Sequence, residues 1–290
     1  MYAAPFQYYR ATTLAEAHQL LKAHPDAKLL AGGHSLIPLM KLRLAQPDAV
    51  VDIGRISELK GITVRTDGLL QIGALTTHAE LAASADVRRD APALAEAAGL
   101  VGDPTVRNRG TIGGNVAHAD PASDLPTVLL ISGARFVTAG PGGERTIGGD
   151  DFFKGLMTTA LRDDEVLTAV LVEPIKRGEG GAYVKWAHPA SRYAVIGAAA
   201  IVSVRDGVCA SARVAVGGLT PRCTRAKGVE AALAGKPLTT EAIAQAAAAI
   251  TNDIGSDLLG DIYASAAFRG TTAPVYVARA ISAAAKRAGA

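Results

Sequence analysis

Two short stretches carry residue types that can hold a charged ligand. One is Leu29-Leu30-Ala31-Gly32-Gly33-His34-Ser35-Leu36, an apolar run that breaks into a glycine pair. The other is Gly110-Thr111-Ile112-Gly113-Gly114-Asn115, followed closely by Ser123 and Asp124. Paired glycines allow positive φ and let main-chain N–H groups approach a ligand with no Cβ in the way. Successive exposed N–H groups form an anion-binding nest that suits a pyrophosphate. Ser35, Thr111 and Asn115 add side-chain hydrogen bonds, and Asp124 can accept from ribityl or ribose hydroxyls. Neither stretch fits the G-x-G-x-x-G fingerprint or the G-x-x-x-x-G-K-[ST] phosphate loop. Gly142-Gly143, Gly148-Gly149 and Gly217-Gly218 read as ordinary turns. Residue types alone reach a phosphate-bearing ligand and stop there.

The elements that must position these stretches are legible from capping and periodicity. Thr13-x-x-Glu16 has capping-box spacing and opens a helical face of Leu14, Ala17, Leu20 and Leu21. A short strand over 28–31 runs into the first glycine pair, with further strands at 49–53 and 69–74. Thr77-x-x-Glu80 starts a helix through about Ala85, and 91–100 reads as helical with Pro92 in its first turn. Strands return at 135–138 and 166–172, and 174–181 reads as a boundary or exposed loop. Asp206-Gly207 joins strands at 197–205 and 210–216 as a hairpin turn. Thr239 or Thr240 caps a helix to Ile250, and a last helix starts near Pro274 and runs to about Arg287. Strands followed by helices, without strict alternation, predict an α+β arrangement for this last part.

Composition narrows the classes. With 49% hydrophobic and 20% charged residues over 290 positions, the chain is globular rather than disordered or fibrous. A net charge of +3, dispersed, gives no argument for nucleic acid. The longest uncharged apolar run, 194–204, falls short of the roughly 18 residues that span a bilayer. No secretory leader pattern is read at the N-terminus, so a cytoplasmic protein is expected. Cys209 and Cys223 are the only cysteines, too few for a disulfide framework, a Cys-rich zinc site or an all-cysteine iron–sulfur cluster. Any metal redox centre must sit on another polypeptide. His18, His24, His78 and His118 lack ligand spacing and read as surface or capping residues, and Trp186 as packing.

Both glycine stretches resemble the flavin loops of the molybdenum hydroxylases, the family of xanthine dehydrogenase and aerobic carbon monoxide dehydrogenase. The forms Ala-Gly-Gly-His-Ser at 31–35 and Thr-Ile-Gly-Gly-Asn at 111–115 are similar to those of the carbon monoxide dehydrogenase branch. The likeness extends over the whole chain, through Ser-Leu-Ile-Pro-Leu-Met-Lys-Leu-Arg-Leu, Ala-Asp-Pro-Ala-Ser-Asp-Leu-Pro and the segment Asp261 to Arg269. It looks like the separate FAD-binding medium subunit. The resemblance implies an α+β fold: a two-subdomain FAD-binding module of the PCMH or vanillyl-alcohol-oxidase-like kind, then a C-terminal α+β domain with a small antiparallel sheet. The implied boundaries are 1–177 for the first, with subdomains of about 1–56 and 57–177, and 178–290 for the second.

Carried over by position, the resemblance assigns FAD contacts to Gly32, Gly33, His34, Ser35 and Leu36, and to Thr111, Ile112, Gly113, Gly114 and Asn115 around the pyrophosphate. It places Asp124 near the sugar-alcohol chain, Leu167 and Lys185 at the isoalloxazine, and Tyr193 against one flavin face. Val101 stands where xanthine dehydrogenase-like chains have an aromatic. No acid–base catalytic residue and no metal ligand is expected in this chain. The implied role is electron transfer. A large subunit with a molybdenum–pterin cofactor oxidises the substrate, and a small subunit with [2Fe–2S] clusters feeds the FAD here. A quinone, NAD+ or dioxygen then takes the electrons. The implied assembly is a dimer of heterotrimers, cytoplasmic and able to lie peripherally at the inner membrane through the complex. In related flavin oxidases a Gly-Gly-His-Ser-like histidine binds flavin covalently; the surrounding sequence favours noncovalent FAD. A stand-alone oxidase with covalent flavin on His34, and a nonenzymatic nucleotide-binding or assembly subunit, are the two alternatives.

Overall fold

The structure is a computed structural model that describes residues 2–289. Its first unit contains β1 (Gln7–Arg10), α1 (Leu14–Ala23), β2 (Lys28–Leu30), α2 (Leu36–Lys41) and β3 (Ala49–Asp52). The strands form a parallel sheet of order β1-β3-β2. Parallel neighbours need crossover connections, and here helices supply them. Thr13 caps α1 by accepting from the Glu16 N–H, while the Glu16 carboxylate accepts from Thr12 rather than from the cap itself. Ala17, Leu21, Val51, Ile53 and Ile56 close a small core under the sheet. The first glycine pair sits at the carboxyl end of β2, where sheets of this kind commonly bind ligands.

The second unit begins with β4 (Ile62–Val64) and β5 (Leu70–Gly73). A run of helices follows: α3 (His78–Ala83), α4 (Ala85–Asp90), α5 (Pro92–Leu100), α6 (Pro104–Arg107), α7 (Ile112–His118) and α8 (Asp124–Ile131). Then come β6 (Arg135–Gly140), β7 (Gly143–Gly148), α9 (Gly149–Phe152), β8 (Phe153–Gly155), β9 (Thr158–Thr159) and β10 (Val166–Val172). An antiparallel sheet of order β4-β5-β10-β6-β7 backs the helices. The Thr77–Glu80 capping box forms with both of its bonds, but Ser84 ends that helix and caps the next one. The second glycine stretch is no free loop: Thr111 caps α7, and Gly113 and Gly114 lie in its first turn.

The third unit is an antiparallel sheet of β11 (Glu179–Ala187), β12 (Ala194–Arg205), β13 (Val208–Gly217) and β14 (Thr224–Arg225). Over it pack α10 (Lys227–Leu233), α11 (Thr240–Ala247), α12 (Ile250–Asp253) and α13 (Ala266–Ala288). The Asp206-Gly207 turn has φ of 52° and 76°, as a tight hairpin turn requires. Thr239 caps α11, which breaks before α12 instead of continuing to Ile250.

Two expectations are corrected. The 174–181 segment is exposed only in part: β11 starts at Glu179, and Gly180 and Gly181 are buried. A Cβ on Gly180 would lie 2.1 Å from the Ala284 carbonyl oxygen, so this glycine is what lets α13 rest on β11. The last helix starts at Ala266, capped by the Ser265 hydroxyl, and Pro274 lies inside it. Proline is favoured at a helix start but is tolerated here two turns in, with one backbone bond forgone.

Candidate functional site

A cleft of about 570 Å³ opens where the three units meet. Gly32, Gly33, His34, Ser35 and Leu36 form one wall, and Thr111, Gly113, Gly114 and Asn115 form the facing one. Asp124, Leu167, Val101 and Tyr193 complete the lining among the positions singled out from the sequence. Ile112 and Lys185 do not border it. Ile112 is fully buried in the core, and its N–H donates to the Thr76 carbonyl.

The two glycine turns differ in what they offer. Among the described residues, the main-chain N–H groups of Gly32, Gly33, His34, Ser35 and Leu36 find no acceptor within the chain. Only Gly33 needs a left-handed conformation, with φ 79°. Gly32 is dictated by packing, since a Cβ there would lie 2.1 Å from the Arg109 carbonyl oxygen. In the second turn the glycine donors are spent. Gly113 donates to the Ala74 carbonyl at 2.8 Å, and Gly114 to the Thr111 hydroxyl at 3.1 Å. Gly113 is glycine because a Cβ would meet Ala74 at 2.6 Å. The first turn therefore presents the anion-binding donors, and the second is a close-packed wall. Asn115 accepts from the Ser123 hydroxyl at 2.9 Å, which leaves its amide N–H groups for the cleft.

Lys185 reaches the site only from behind. Its ammonium donates to Asp124 Oδ2 (2.8 Å), the Leu100 carbonyl (2.8 Å) and the Arg192 carbonyl (2.7 Å), which uses all three protons. Asp124 is itself buried and accepts from the Tyr183 hydroxyl at 2.6 Å. Burial pushes the Asp124 pKa up, against the pull of Lys185, and pushes the Lys185 pKa down. The sequence expectation of a lysine at the flavin ring is thus not what the geometry shows: this lysine fixes Asp124 and the 188–193 loop. Tyr193, the last residue of that loop before β12, is 41% exposed at the cleft mouth. Its hydroxyl end faces Ser35 and is buried enough to raise the phenol pKa, with Asp120 adding to the rise.

Other lining residues escaped the sequence reading. Met157 reaches the cleft from the turn between β8 and β9, and Leu161 and Arg162 from the loop before β10. Arg145 anchors that loop by pairing with Glu165, whose carboxylate also accepts from the Arg162 N–H at 2.9 Å. The Arg145 guanidinium holds the Glu165 pKa low. His78, expected at the surface or in a cap, is 3% exposed, and its ring borders the cleft. His118 borders it as well, whereas His18 bonds the Ala139 carbonyl and His24 stacks on Tyr9. Cys209 and Cys223 are buried away from it, and burial pushes the Cys223 thiol up to about 12. Among the described residues no cluster of His, Cys, Asp and Glu could hold a metal ion. No helix among them is long and apolar enough to cross a membrane.

Five unpaired N–H groups beside a cleft of this volume fit a dinucleotide that carries a diphosphate. Comparison with known proteins agrees. Residues 4–173 match the family model for the FAD binding domain in molybdopterin dehydrogenase, and residues 181–284 that for the CO dehydrogenase flavoprotein C-terminal domain. The chain is 41% identical to the carbon monoxide dehydrogenase medium chain of Hydrogenophaga pseudoflava, over 96% of each chain. It is 35% identical to the glyceraldehyde dehydrogenase medium chain of Sulfolobus acidocaldarius, over 88% of this chain and 90% of that one. A solved carbon monoxide dehydrogenase from Hydrogenophaga pseudoflava, lacking the Mo-pyranopterin moiety of its molybdenum cofactor, superposes with a TM-score of 0.94. That match is 41% identical in sequence and covers 99% of both chains. The chain belongs to the family of FAD-binding medium subunits of molybdenum hydroxylases, of the carbon monoxide dehydrogenase type.

Proposed function

We propose that this chain holds FAD noncovalently in the cleft and relays electrons within a molybdenum hydroxylase. The observation that carries this reading is the run of five unpaired N–H groups from Gly32 to Leu36, facing the close-packed Thr111–Asn115 turn. The first turn neutralises the diphosphate, Asn115 adds an amide donor, and the Leu167 main chain with Tyr193 borders the ring. Asp124, held by Lys185 and Tyr183, presents a fixed carboxylate edge toward the sugar-alcohol chain. FAD bound there supplies a two-electron store that can be filled one electron at a time. The protein contributes orientation, exclusion of water and fixed charge, and none of its side chains is assigned acid–base work.

The electrons come from [2Fe–2S] clusters on a small subunit, after substrate oxidation at a molybdenum–pterin cofactor on a large subunit. A chain with two buried cysteines supports clusters located elsewhere. The external acceptor is a quinone, NAD+ or dioxygen, and the assembly is a cytoplasmic dimer of heterotrimers, able to lie peripherally at the inner membrane. The reading divides the chain at 1–177 and 178–290, with subdomains of about 1–56 and 57–177. This division is supported by the three larger sheets, which end at Asp52, Val172 and Arg225.

The test uses the assembly purified from its own cells. With its flavin stripped, chemically reduced clusters should be reoxidised by the three acceptors far more slowly, and added FAD should restore the rate. Reoxidation indifferent to flavin removal would refute the relay.

A further inference from the structure

His78 opens α3 at the junction of the two glycine turns. Its main-chain N–H donates to the Gly110 carbonyl at 3.0 Å, which ties the second turn to this helix. The missing Cβ of Gly110 makes room for the ring: a Cβ there would lie 2.9 Å from both Cδ2 and Nε2. The residue is only 3% exposed, yet it borders the cleft beside His34. Nδ1 is fully enclosed and has no partner, and Nε2 has none within the chain either. A neutral imidazole carries one N–H, and a buried unpaired donor is among the rarest features of folded proteins. The proton therefore belongs on Nε2, at the cleft edge, and the sealed Nδ1 keeps only its lone pair.

We propose that His78 Nε2–H donates a hydrogen bond to an oxygen of the FAD diphosphate where the two turns converge. This rests on the FAD reading above and adds a second side-chain donor, after the Asn115 amide, to a site served mainly by main chain. Burial, with the charges of His34 and Arg107, lowers the His78 pKa to about 4, so the ring stays neutral and keeps its single donor. The contact is a polar bond to a charged oxygen, which sets an effect of about tenfold in affinity.

The experiment strips FAD from the natively purified assembly and titrates FAD back by flavin fluorescence, with ADP and riboflavin as competitors. His78→Leu should weaken FAD and ADP about tenfold and leave riboflavin unchanged, with an unfolding temperature equal to or above the parent's. His78→Gln, which keeps a donor near Nε2, should recover most of that loss. A His78→Leu variant within twofold of the parent for FAD and ADP would overturn the proposal. So would equal losses in both variants with lowered unfolding temperatures, the mark of a packing residue. A parent assembly that binds no FAD would instead overturn the cofactor reading itself, and with it this contact.

Discussion

Lys185 and Asp124 meet at 2.8 Å behind the cleft wall, with side chains only 1% and 5% exposed. The pair joins β11 to the start of α8, and through the Leu100 and Arg192 carbonyls it also holds the Val101 turn and the Tyr193 loop. One ammonium thus sets the spacing of three cleft segments. Removing one member strands the other charge in the interior, where an uncompensated ion costs about 3–5 kcal/mol. Lys185→Met and Asp124→Leu should each destabilise by about that much in urea unfolding. The double variant should lose clearly less than the sum of the two, and strict additivity would show that the pair is not coupled.

Gly32 gives a sharper steric test. A methyl group at 2.1 Å from the Arg109 carbonyl oxygen forces the two turns apart. Gly32→Ala should cost about 1–3 kcal/mol, as overpacking does, and should abolish stoichiometric flavin. Gly142→Ala, which meets nothing within 4 Å, should retain full flavin content. Flavin per protomer, read from the visible spectrum, decides between them.

The buried His78 shapes the acid limb of stability. The unfolded imidazole takes a proton as pH falls through 6.5, whereas the folded one resists until about 4. Stability therefore falls with pH across that window, by about 3 kcal/mol in total, and is fully present above it. Urea unfolding at pH 7 and pH 5 should show a loss of about 2 kcal/mol that His78→Leu lacks. An unchanged acid limb in the variant would mean that the ring titrates in the fold as it does in the unfolded chain.

His34 borders the cleft, so covalent attachment is chemically accessible and can be tested. Acid or heat precipitation should release all yellow colour into the supernatant. Colour retained by the precipitate, and lost in His34→Ala, would establish a covalent flavin.

Much of the fold is legible in the amino-acid sequence itself. The Thr13 and Thr77 caps, the Asp206-Gly207 turn and the first glycine stretch rest on local chemistry, and each occurs where local rules place it. What local rules miss depends on distant backbone. The Ile112 and Gly113 donors of the second turn are consumed by the Thr76 and Ala74 carbonyls, a pairing no local pattern encodes. His78 is buried because Gly110 lacks a side chain, and Lys185 turns away from the cleft because three acceptors converge behind it. Pro274 marks a helix start by propensity, but the Ser265 cap and the packing of α13 on β11 and β12 carry the helix through it.

The subunit reading is tested most directly by the composition of the protein as purified from its own cells. A denaturing gel, a visible spectrum and metal analysis should show this chain with one larger and one smaller partner, together with releasable FAD, iron and molybdenum. This chain alone, with flavin, no metal and its own oxidase activity, would contradict that reading.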